Sequence, residues 1–403
     1  MQLLSDVRVV DMGLWVAGPA AGGVLADWGA DVIKVEMPTG DPMRRLFGVL
    51  SGSQEARCPP FDLYNRGKRS VAIDANHPEG QALTAELAAS ADVFLTNMRP
   101  QFLKRVGLDH ATLLAKSPRL VYAIVTGYGL EGPDKDAPGF DIAAFAARSG
   151  VAHRSAPPGA PPPVPPGGLG DNVTALAAVA GILGALLSRE RTGKGQLVST
   201  SLLRAGLYSI GMDVSTRLGL GRLAPTPSRR RPLNPLMNPY QAGDGVWFWL
   251  IGAEAERHWP GIVAALGRPD LLEDARFGTP RDRRRNCEAL IDILDAVFAT
   301  RARSEWAEIF ATNDVWWAPV NTVEDLLTDA QVKAAGAFLR ASGDDGARDT
   351  AALELATPVD FGSAPEVLAK RPPRVGEHTD EILASIGVGA AELHRLRTAG
   401  VVT

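Results

Sequence analysis

The hydrophobic pattern of the first third of the chain alternates between short apolar strands and amphipathic helices. Val7–Asp11 predicts a strand, Ala20–Trp28 a helix and Val32–Glu36 a second strand. Strand, loop, helix and strand in this order make a βαβ unit, in which the two strands run parallel. The same alternation continues with strands over Val71–Asp74, Asp92–Thr96 and Leu120–Val125 and with a helix over Pro78–Ala89. We therefore expect an α/β fold with a large Rossmann-like domain, whose parallel strands end in loops at one edge of the sheet.

A glycine-rich stretch precedes the most apolar run of the chain. Gly167–Gly170 leads into Asp171, and the run Val173–Leu187 predicts a buried helix that is too short to cross a bilayer. Glycine lets another molecule approach the backbone closely, and a helix N-terminus favours the ionised form of a carboxylate beside it. Asp171 is therefore a candidate nucleophile, although the local pattern by itself favours a simple helix N-cap.

Two proline-rich segments organise the middle of the chain. Ala156–Pro166 contains seven prolines in eleven residues, which predicts a stiff arm that presents Asp171 rather than a linker between domains. Thr226–Pro239 marks the crossing into a smaller α+β domain, in which Val246–Ile251 predicts a strand and Glu254–Leu266 and Arg283–Ala311 predict helices. We expect a large domain over residues 1–225 and 326–403 and a small domain over residues 226–325.

Composition narrows the classes of partner. The chain has 403 residues and a formal net charge of −4, with 42 basic against 46 acidic residues, so neither nucleic acid nor an anionic membrane is an expected partner. Cys58 and Cys287 are the two cysteines and have no paired spacing, which predicts neither a disulfide framework nor a zinc site. The N-terminus lacks the pattern of a signal peptide. These features favour a cytoplasmic protein whose partners are small molecules or other protein chains.

Clustered cations and aromatic residues leave several hypotheses open. Arg44 and Arg45 end a turn, and Lys68 lies in a cationic cluster before a strand, so both clusters could hold a polyphosphate or could be solvated charge. Arg229–Arg231 could bind the second carboxylate of a diacid or could be an exposed linker. For Trp247 and its neighbour Trp249, core packing is favoured over recognition of an acyl group.

Four stretches resemble one known family. They are Ala17-Gly18-Pro19 with Leu25–Glu36, then Asn65–Ser70, then Gly170-Asp171, and finally Gly376–Leu383. In these stretches the chain is similar to the class III CoA-transferases, the CaiB/BaiF family that includes formyl-CoA transferase and carnitine CoA-transferase. The stretches follow the order of the family and extend over nearly the whole chain.

The resemblance implies an enzyme that moves CoA from an acyl-CoA to a free carboxylic acid, either between two molecules or within one. The nucleophile of the family falls on Asp171, which would carry first a mixed anhydride and then a CoA thioester. CoA and acyl-CoA enter as substrates, and no metal or permanently bound cofactor is implied. A position that is basic in relatives is Met37 here, so we expect Arg44, Arg45 or Lys68 to hold the nucleotide instead. The other positions that match CoA-contacting segments are Val16, Ala17, Ile73, Asp74, Ala75, Asn76, Asn97, Met98, Arg99, Arg105, Ala137, Pro138, Gly139, Phe140 and Asp141.

Further expectations concern assembly and competing functions. The resemblance implies a homodimer of interlocked rings with Asp171 near the interface. Backbone amides of Gly167–Gly170 or of Val16 and Ala17 are candidate oxyanion donors, and Asp141 is either a second carboxylate of the site or a helix cap. An α-methylacyl-CoA racemase needs a proton-exchanging base, and related racemases carry histidine where this chain has Phe140. The remaining alternative is a binding protein for CoA esters without catalysis.

Overall fold

The computed structural model describes residues 3–46, 48, 58–342, 353–362 and 369–403. The chain divides into two compact units. The large unit comprises residues 1–153, 163–222 and 336–403, and the small unit comprises residues 154–162 and 223–335.

The large unit begins with alternating strands and helices. The strands up to residue 222 are β1 (Arg8–Met12), β2 (Asp31–Glu36), β3 (Arg69–Ala72), β4 (Val93–Thr96), β5 (Val121–Thr126) and β6 (Leu197–Ser201). The helices are α1 (Ala17–Asp27), α2 (Pro59–Asn65), α3 (Pro78–Ala89), α4 (Pro100–Arg105), α5 (His110–Lys116), α6 (Val151–Arg154), α7 (Leu169–Thr192), α8 (Leu202–Ser209) and α9 (Gly211–Leu220), with a 3₁₀ turn at Pro42–Arg45 and a π-helix at Asp141–Arg148.

Six strands form one parallel sheet in the order β3-β2-β1-β4-β5-β6, which confirms the predicted parallel sheet. The chain moves outward from β1 to β3 and then returns to the other side of β1 with β4. The loops after β1 and β4 therefore face a crevice at the carboxyl edge, where open sheets of this type bind ligands.

Helices cover both faces of this sheet. On one face, α1 and α7 pack Leu25 and Ile182 against strand residues such as Val9. On the other face, α3 and α5 pack against strand residues such as Val10, Ile33 and Phe94. Adjacent strand residues point to opposite faces of the sheet. Because helices bury both faces, every strand position favours an apolar residue, and the strands are continuous apolar runs.

Helix α7 is longer than its apolar run suggested. It spans Leu169–Thr192, 24 residues, and by length and composition alone it could cross a membrane. Ala175, Ala178 and Val179 pack into the core beneath the sheet, and 44% of its most apolar window is buried in the protein. It is therefore the central helix of one face of the large unit.

Helix α5 was not predicted from the hydrophobic pattern. Asp109 caps it by accepting hydrogen bonds from the amides of Ala111 and Thr112. An aspartate at this position is a common helix N-cap, and it was the available local signal.

The small unit contains a three-stranded antiparallel sheet and a helical layer. Its strands are β7 (Met237–Gln241), β8 (Trp247–Ile251) and β9 (Trp317–Pro319), in the order β7-β8-β9. Its helices are α10 (Ala255–Leu266), α11 (Asp270–Glu273), α12 (Pro280–Arg285), α13 (Cys287–Phe298), α14 (Arg303–Thr312), α15 (Val323–Thr328) and α16 (Ala330–Ala334).

The single helix expected over Arg283–Ala311 is wrong, because the segment is divided between α12, α13 and α14. Helix α13 ends at Phe298, and a new N-terminus forms where the Glu305 carboxylate accepts a hydrogen bond from the Ala302 amide. The apolar period continues across these breaks because α13 and α14 both face the same aromatic core, which includes Phe298 and Phe310.

The end of the chain packs on the large sheet. It contains β10 (Phe338–Arg340), β11 (Leu353–Leu355), α17 (Thr379–Ser385) and α18 (Ala390–Thr398). The amide of His378 donates to the carbonyl of Ser70, and Ile73 forms a β-bridge with Val402. The tail therefore closes the β3 side of the sheet.

Two buried ion pairs support the loop between β1 and α1. Lys34 Nζ lies 2.9 Å from Asp41 and Lys68 Nζ lies 2.7 Å from Asp11, and all four side chains are fully buried. Each ammonium also donates to a backbone carbonyl, Lys34 to that of Gly13 in the loop and Lys68 to that of Pro19 in the first turn of α1. The network thus fixes both ends of the loop.

We expect Lys68→Met to lower the free energy of unfolding by about 3–5 kcal/mol, because it leaves the Asp11 carboxylate buried without its partner. Urea denaturation followed by circular dichroism measures this change. Lys104→Met, at an exposed position of α4, is the matched control and should change stability by less than about 0.5 kcal/mol. Equal stability of the two variants would contradict a supporting role for the buried pair.

Candidate active site

The first turn of α7 places Asp171 at the third helical position. Gly168 is the N-cap, with φ of 77°, and no side chain caps the helix. This left-handed conformation favours glycine. The alternative that Asp171 serves only as the N-cap is therefore wrong, because the N-cap lies three residues earlier, within the glycine-rich stretch.

Asp141 lies against the same turn. Its carboxylate accepts a hydrogen bond from the Gly170 amide at 3.0 Å and another from the Gly168 amide. A Cβ atom on Gly170 would overlap both Asp141 and the Phe145 ring, so this position requires glycine. Asp141 begins the π-helix after the N-cap Phe140, so its carboxylate bonds to α7 and does not cap its own helix.

Electrostatics at Asp171 oppose the expected effect of the helix end. Burial, with a smaller contribution from the Asp141 charge, raises the pKa of Asp171 to about 7. The helix N-terminus therefore does not keep Asp171 readily ionised, because the net shift of its pKa is upward. The helix end supplies only about half a unit of positive charge, which desolvation and a like charge outweigh here.

The two amides that Asp141 engages are among the predicted oxyanion donors. Gly168 and Gly170 already donate to Asp141, and the Leu169 amide donates to the Pro166 carbonyl. They are therefore committed within the protein. The amides in the first turn of α1 are not committed in this way, because the N-cap residue Val16 has no side-chain acceptor for them. Among the residues that the structure describes, the amides of Val16 and Ala17 have no acceptor.

The loops after β1 and β4 are joined by Asn97. Its side chain accepts from the Leu14 amide and donates to the Leu14 carbonyl, both at 2.8 Å. Trp15 follows with a positive φ of 63°, and its amide donates to the Asp41 carboxylate. Such backbone conformations cost free energy and persist where surrounding contacts hold them. The backbone at the crevice is thus held in place from both sides.

Tyr64 and Asn172 are polar neighbours of this site that the sequence analysis did not identify. The Tyr64 hydroxyl lies 3.4 Å from the point that a Cβ on Gly168 would occupy, and Val16 and Asn172 each come within 3.9 Å of that point. Tyr64 lies in the last turn of α2, immediately before the motif Asn65–Ser70. Its sequence position carries no local signal, because only the packing of α2 on α1 brings it to α7.

The predicted CoA-contacting residues differ in accessibility. Ala17, Ile73 and Ala75 are buried, so their side chains belong to the core. The partly buried positions are Val16, Asp74, Asn97, Met98, Ala137 and Asp141. The exposed positions are Asn76, Arg99, Arg105, Pro138, Gly139 and Phe140.

Two predicted phosphate-binding cations are committed elsewhere. Lys68 is fully buried and donates to Asp11, Asn65 and Pro19, so the expectation that it holds the nucleotide is wrong. Burial lowers the pKa of Lys68 to about 8, although Asp11 opposes the shift. Arg44 forms a fork with Glu36 and also donates to a carbonyl of the tail, which corrects its assignment in the same way. These two charges support the scaffold instead of binding a ligand.

The three arginines of the small unit are also paired internally. Arg229, Arg230 and Arg231 form ion pairs with the three carboxylates of α13, which are Asp295, Asp292 and Glu288. These acidic residues share one helix face because their spacings are three and four. The three ion pairs therefore hold the segment against α13, so it is not a free linker, and each arginine has a carboxylate partner within the small unit.

The aromatic strand β8 alternates in burial. Phe248 is fully buried in the aromatic core, whereas Trp247 and Trp249 face outward and are 38% and 44% exposed. Core packing thus explains Phe248 but not the two tryptophans. Arg229 lies 5.3 Å from the Trp247 ring centre, where a cation–π contact holds the indole.

Within the described ranges, no cluster of three or more metal-binding side chains occurs. Cys58 and Cys287 are both buried, and no disulfide joins cysteines in this part of the chain.

Comparisons with known proteins agree on one family. The sequence model of CoA-transferase family III matches residues 4–379. A (R)-2-hydroxy-4-methylpentanoate CoA-transferase from Clostridioides difficile is 33% identical, with 99% of each chain covered. A cinnamoyl-CoA:phenyllactate CoA-transferase from Clostridium sporogenes is 33% identical over 98% of this chain and 96% of its own. The crystal structure of a CaiB/BaiF family protein from Brucella suis superposes with a TM-score of 0.82 at 30% identity, covering 94% of this chain and 98% of its own.

We expect Asp141→Asn to lower the pKa of Asp171 below about 7, because the variant removes a like charge but keeps an oxygen that accepts from Gly170. Titration of ¹³C-labelled aspartate carboxyls by NMR, assigned with Asp171→Asn, measures the shift. Asp136→Asn, at an exposed position of the preceding loop, is the control and should leave the titration unchanged. An Asp171 titration that is identical in wild type and Asp141→Asn would contradict the coupling.

Proposed function

Because the chain belongs to CoA-transferase family III, and is an acyl-CoA:carboxylate CoA-transferase, we propose that it works through covalent intermediates on Asp171. The observation that carries the proposal is the Asp171 carboxylate, whose pKa burial raises, in a turn where Gly170 has no room for a side chain. This turn adjoins the first turn of α1 at the crevice of the sheet, where the Val16 and Ala17 amides have no acceptor among the described residues.

The reaction moves CoA from the donor acyl group to the acceptor acid without net hydrolysis of the thioester. An Asp171 oxygen attacks the thioester carbonyl, the carbon–sulfur bond breaks, and CoA leaves as the thiolate while a mixed anhydride forms. The thiolate then attacks the Asp171 carbonyl and expels the first acid, which leaves an aspartyl-CoA thioester. An acceptor carboxylate attacks this thioester, the carbon–sulfur bond breaks, and a second mixed anhydride forms as the CoA thiolate leaves. The thiolate then attacks the acceptor carbonyl of this anhydride, which forms the new acyl-CoA and regenerates the Asp171 carboxylate.

The raised pKa of Asp171 suits this chemistry. Burial disfavours the carboxylate charge, but the anhydride and the thioester on the same side chain are neutral. The site therefore destabilises the free nucleophile relative to its covalent intermediates, and a more basic carboxylate is also the better nucleophile.

Each tetrahedral intermediate carries an oxyanion that needs hydrogen-bond donors. We assign this role to the amides at the start of α1, Val16 and Ala17, because those of Gly168 and Gly170 are occupied by Asp141. A helix N-terminus adds favourable potential for a negative charge. Asp141 acts indirectly in this scheme, by fixing the glycine turn and by raising the pKa of Asp171.

Exposed cations at the carboxyl edge fit the phosphates of CoA. Arg99 and Arg105, at the two ends of α4, are both exposed, and we assign the nucleotide of CoA to them in place of Lys68 and Arg44. Arg45 is exposed as well and stays a candidate for the same role.

The internal pairing of Arg229–Arg231 bears on the acceptor. These arginines already pair with α13, so we do not assign them to a second carboxylate of the acceptor, and we propose a monocarboxylic acceptor. The acids named for the two relatives, 2-hydroxy-4-methylpentanoate and phenyllactate, are monocarboxylic and are therefore the first to test.

We expect Asp171→Ala to reduce transfer by at least about 10⁴-fold, because it removes the covalent pathway. Transfer from cinnamoyl-CoA or 2-hydroxy-4-methylpentanoyl-CoA to these acids is followed by chromatography and mass spectrometry. Hydroxylamine should trap Asp171 of the wild type as a hydroxamate after mixing with acyl-CoA, which a racemase or a binding protein would not give. Asp136→Asn is the control at an exposed carboxylate, and substantial turnover by Asp171→Ala would refute the mechanism.

We also propose that two copies of the chain associate, as the family resemblance implies. Helix α9 has no buried residue, and its Met212 and Leu218 are 88% and 80% exposed. The preceding Tyr208 is 89% exposed. A helix with apolar side chains in solvent is typical of an interaction surface. Val173 and Leu176 of α7 add further exposed apolar surface in the same unit.

We expect the double variant Met212→Glu/Leu218→Glu to weaken association by at least about ten-fold in dissociation constant, because charges would be buried at the interface. Light scattering after size exclusion, over a range of protein concentrations, measures the mass. Ser215→Glu, a polar and exposed position on the same helix, is the control for added charge. A wild-type dimer with an unchanged dissociation constant in the double variant would exclude α9 from the interface, and a monomeric wild type would exclude the dimer.

A further inference from the structure

Tyr64 is a polar side chain beside the nucleophile to which the proposed mechanism assigns no role. Its hydroxyl lies over the N-cap Gly168 of α7, and the Val16 side chain approaches the same point from α1. The phenol therefore lies where the two helix N-termini meet. These are the turn that carries Asp171 and the turn whose amides have no acceptor within the described ranges.

Asn172 holds this hydroxyl in place. Its side-chain nitrogen lies 3.9 Å from the point that a Cβ on Gly168 would occupy, and a hydrogen bond from this NH₂ group to the phenol oxygen opposes the rise in the pKa of Tyr64. The helix fixes Asn172 directly after Asp171. Because the Tyr64 oxygen is the acceptor of this bond, its own proton remains available to another acceptor. Among the residues that the structure describes, none accepts that proton.

The hydroxyl is also protonated under working conditions. Burial raises the pKa of Tyr64, and the nearby charges of Asp171 and Asp141 raise it further, against the opposing bond from Asn172. A neutral phenol can donate to an oxyanion without adding a charge that would pair with Asp171 in the ground state. This is the property required of a donor whose hydrogen bond is to strengthen as negative charge develops.

We propose that the Tyr64 hydroxyl is a catalytic hydrogen-bond donor to the oxyanion of the tetrahedral intermediates formed at Asp171, and that Asn172 is the residue that positions it. The inference rests on the proposed function of Asp171. When the Asp171 oxygen adds to a thioester carbonyl, the carbonyl electron pair moves to oxygen and the phenol proton bridges to it. When the intermediate collapses, the electron pair returns to the carbonyl as the thiolate leaves, and the proton stays on Tyr64.

The test is Tyr64→Phe, which removes the oxygen and keeps the ring that packs beside α1. We expect kcat to fall roughly 10- to 100-fold, comparable to the loss of one oxyanion donor, while KM for acyl-CoA changes less than about three-fold. In a rapid-quench experiment, hydroxylamine trapping at Asp171 should slow by the same factor as kcat. Asn172→Leu should give a smaller fall, because the phenol remains but is no longer held.

Tyr122→Phe is the matched control for the loss of a buried tyrosine hydroxyl. Tyr122 donates to the Leu108 carbonyl at 2.9 Å in the core of the opposite sheet face, so this variant should lower the melting temperature without changing kcat. A purely structural Tyr64 would behave like Tyr122, with reduced stability and wild-type trapping at Asp171. That outcome overturns the assignment of Tyr64 and leaves the Asp171 mechanism standing, whereas absence of trapping in the wild type refutes the mechanism itself.

Discussion

The site depends on a carboxylate held where its charge is disfavoured. Asp171 lies in a desolvated turn next to a second carboxylate, Asp141, which is anchored to the same turn by two backbone amides. A more deeply buried Asp171 would stay protonated and inert, and full solvation would leave it a weak base. The balance between burial, like charge and the helix end sets its pKa near neutrality, where the ionised form is accessible. In the proposed mechanism, the same environment favours the neutral covalent forms.

Two buried lysines stabilise the loop that lies next to that turn. Lys34 and Lys68 are buried beneath the loop after β1, each with a carboxylate and a backbone carbonyl as partners. A buried ion pair adds little net stability compared with apolar packing, but it penalises any arrangement that separates the pair. Such a network therefore specifies one loop conformation, including the positive φ at Trp15, and so keeps the first turn of α1 facing α7.

Ion pairs also fix a segment of the small unit, although these pairs are more exposed. Its three consecutive arginines pair with three carboxylates on one face of α13. These pairs hold the segment before β7 against α13. Each exposed pair contributes little alone, whereas three in register act together. The outward tryptophans of β8 remain exposed beside this segment, with Arg229 against one of them.

The sequence by itself determined the parallel sheet, the alternation of its first five strands with helices, and the family, and it predicted a role for Asp171, because these follow from local periodicity and from contiguous motifs. It missed α5 and merged α12, α13 and α14 into one helix. It did not determine which charges are buried, since Lys68 and Arg44 look like ligand-binding cations until β1, β2 and the tail close around them. Nor did it identify Tyr64, whose hydroxyl reaches Gly168 only through the packing of α2 on α1. Desolvation and neighbouring charge depend on residues distant in the chain, so the pKa of Asp171 and the partners of each cation were decided by the tertiary structure alone.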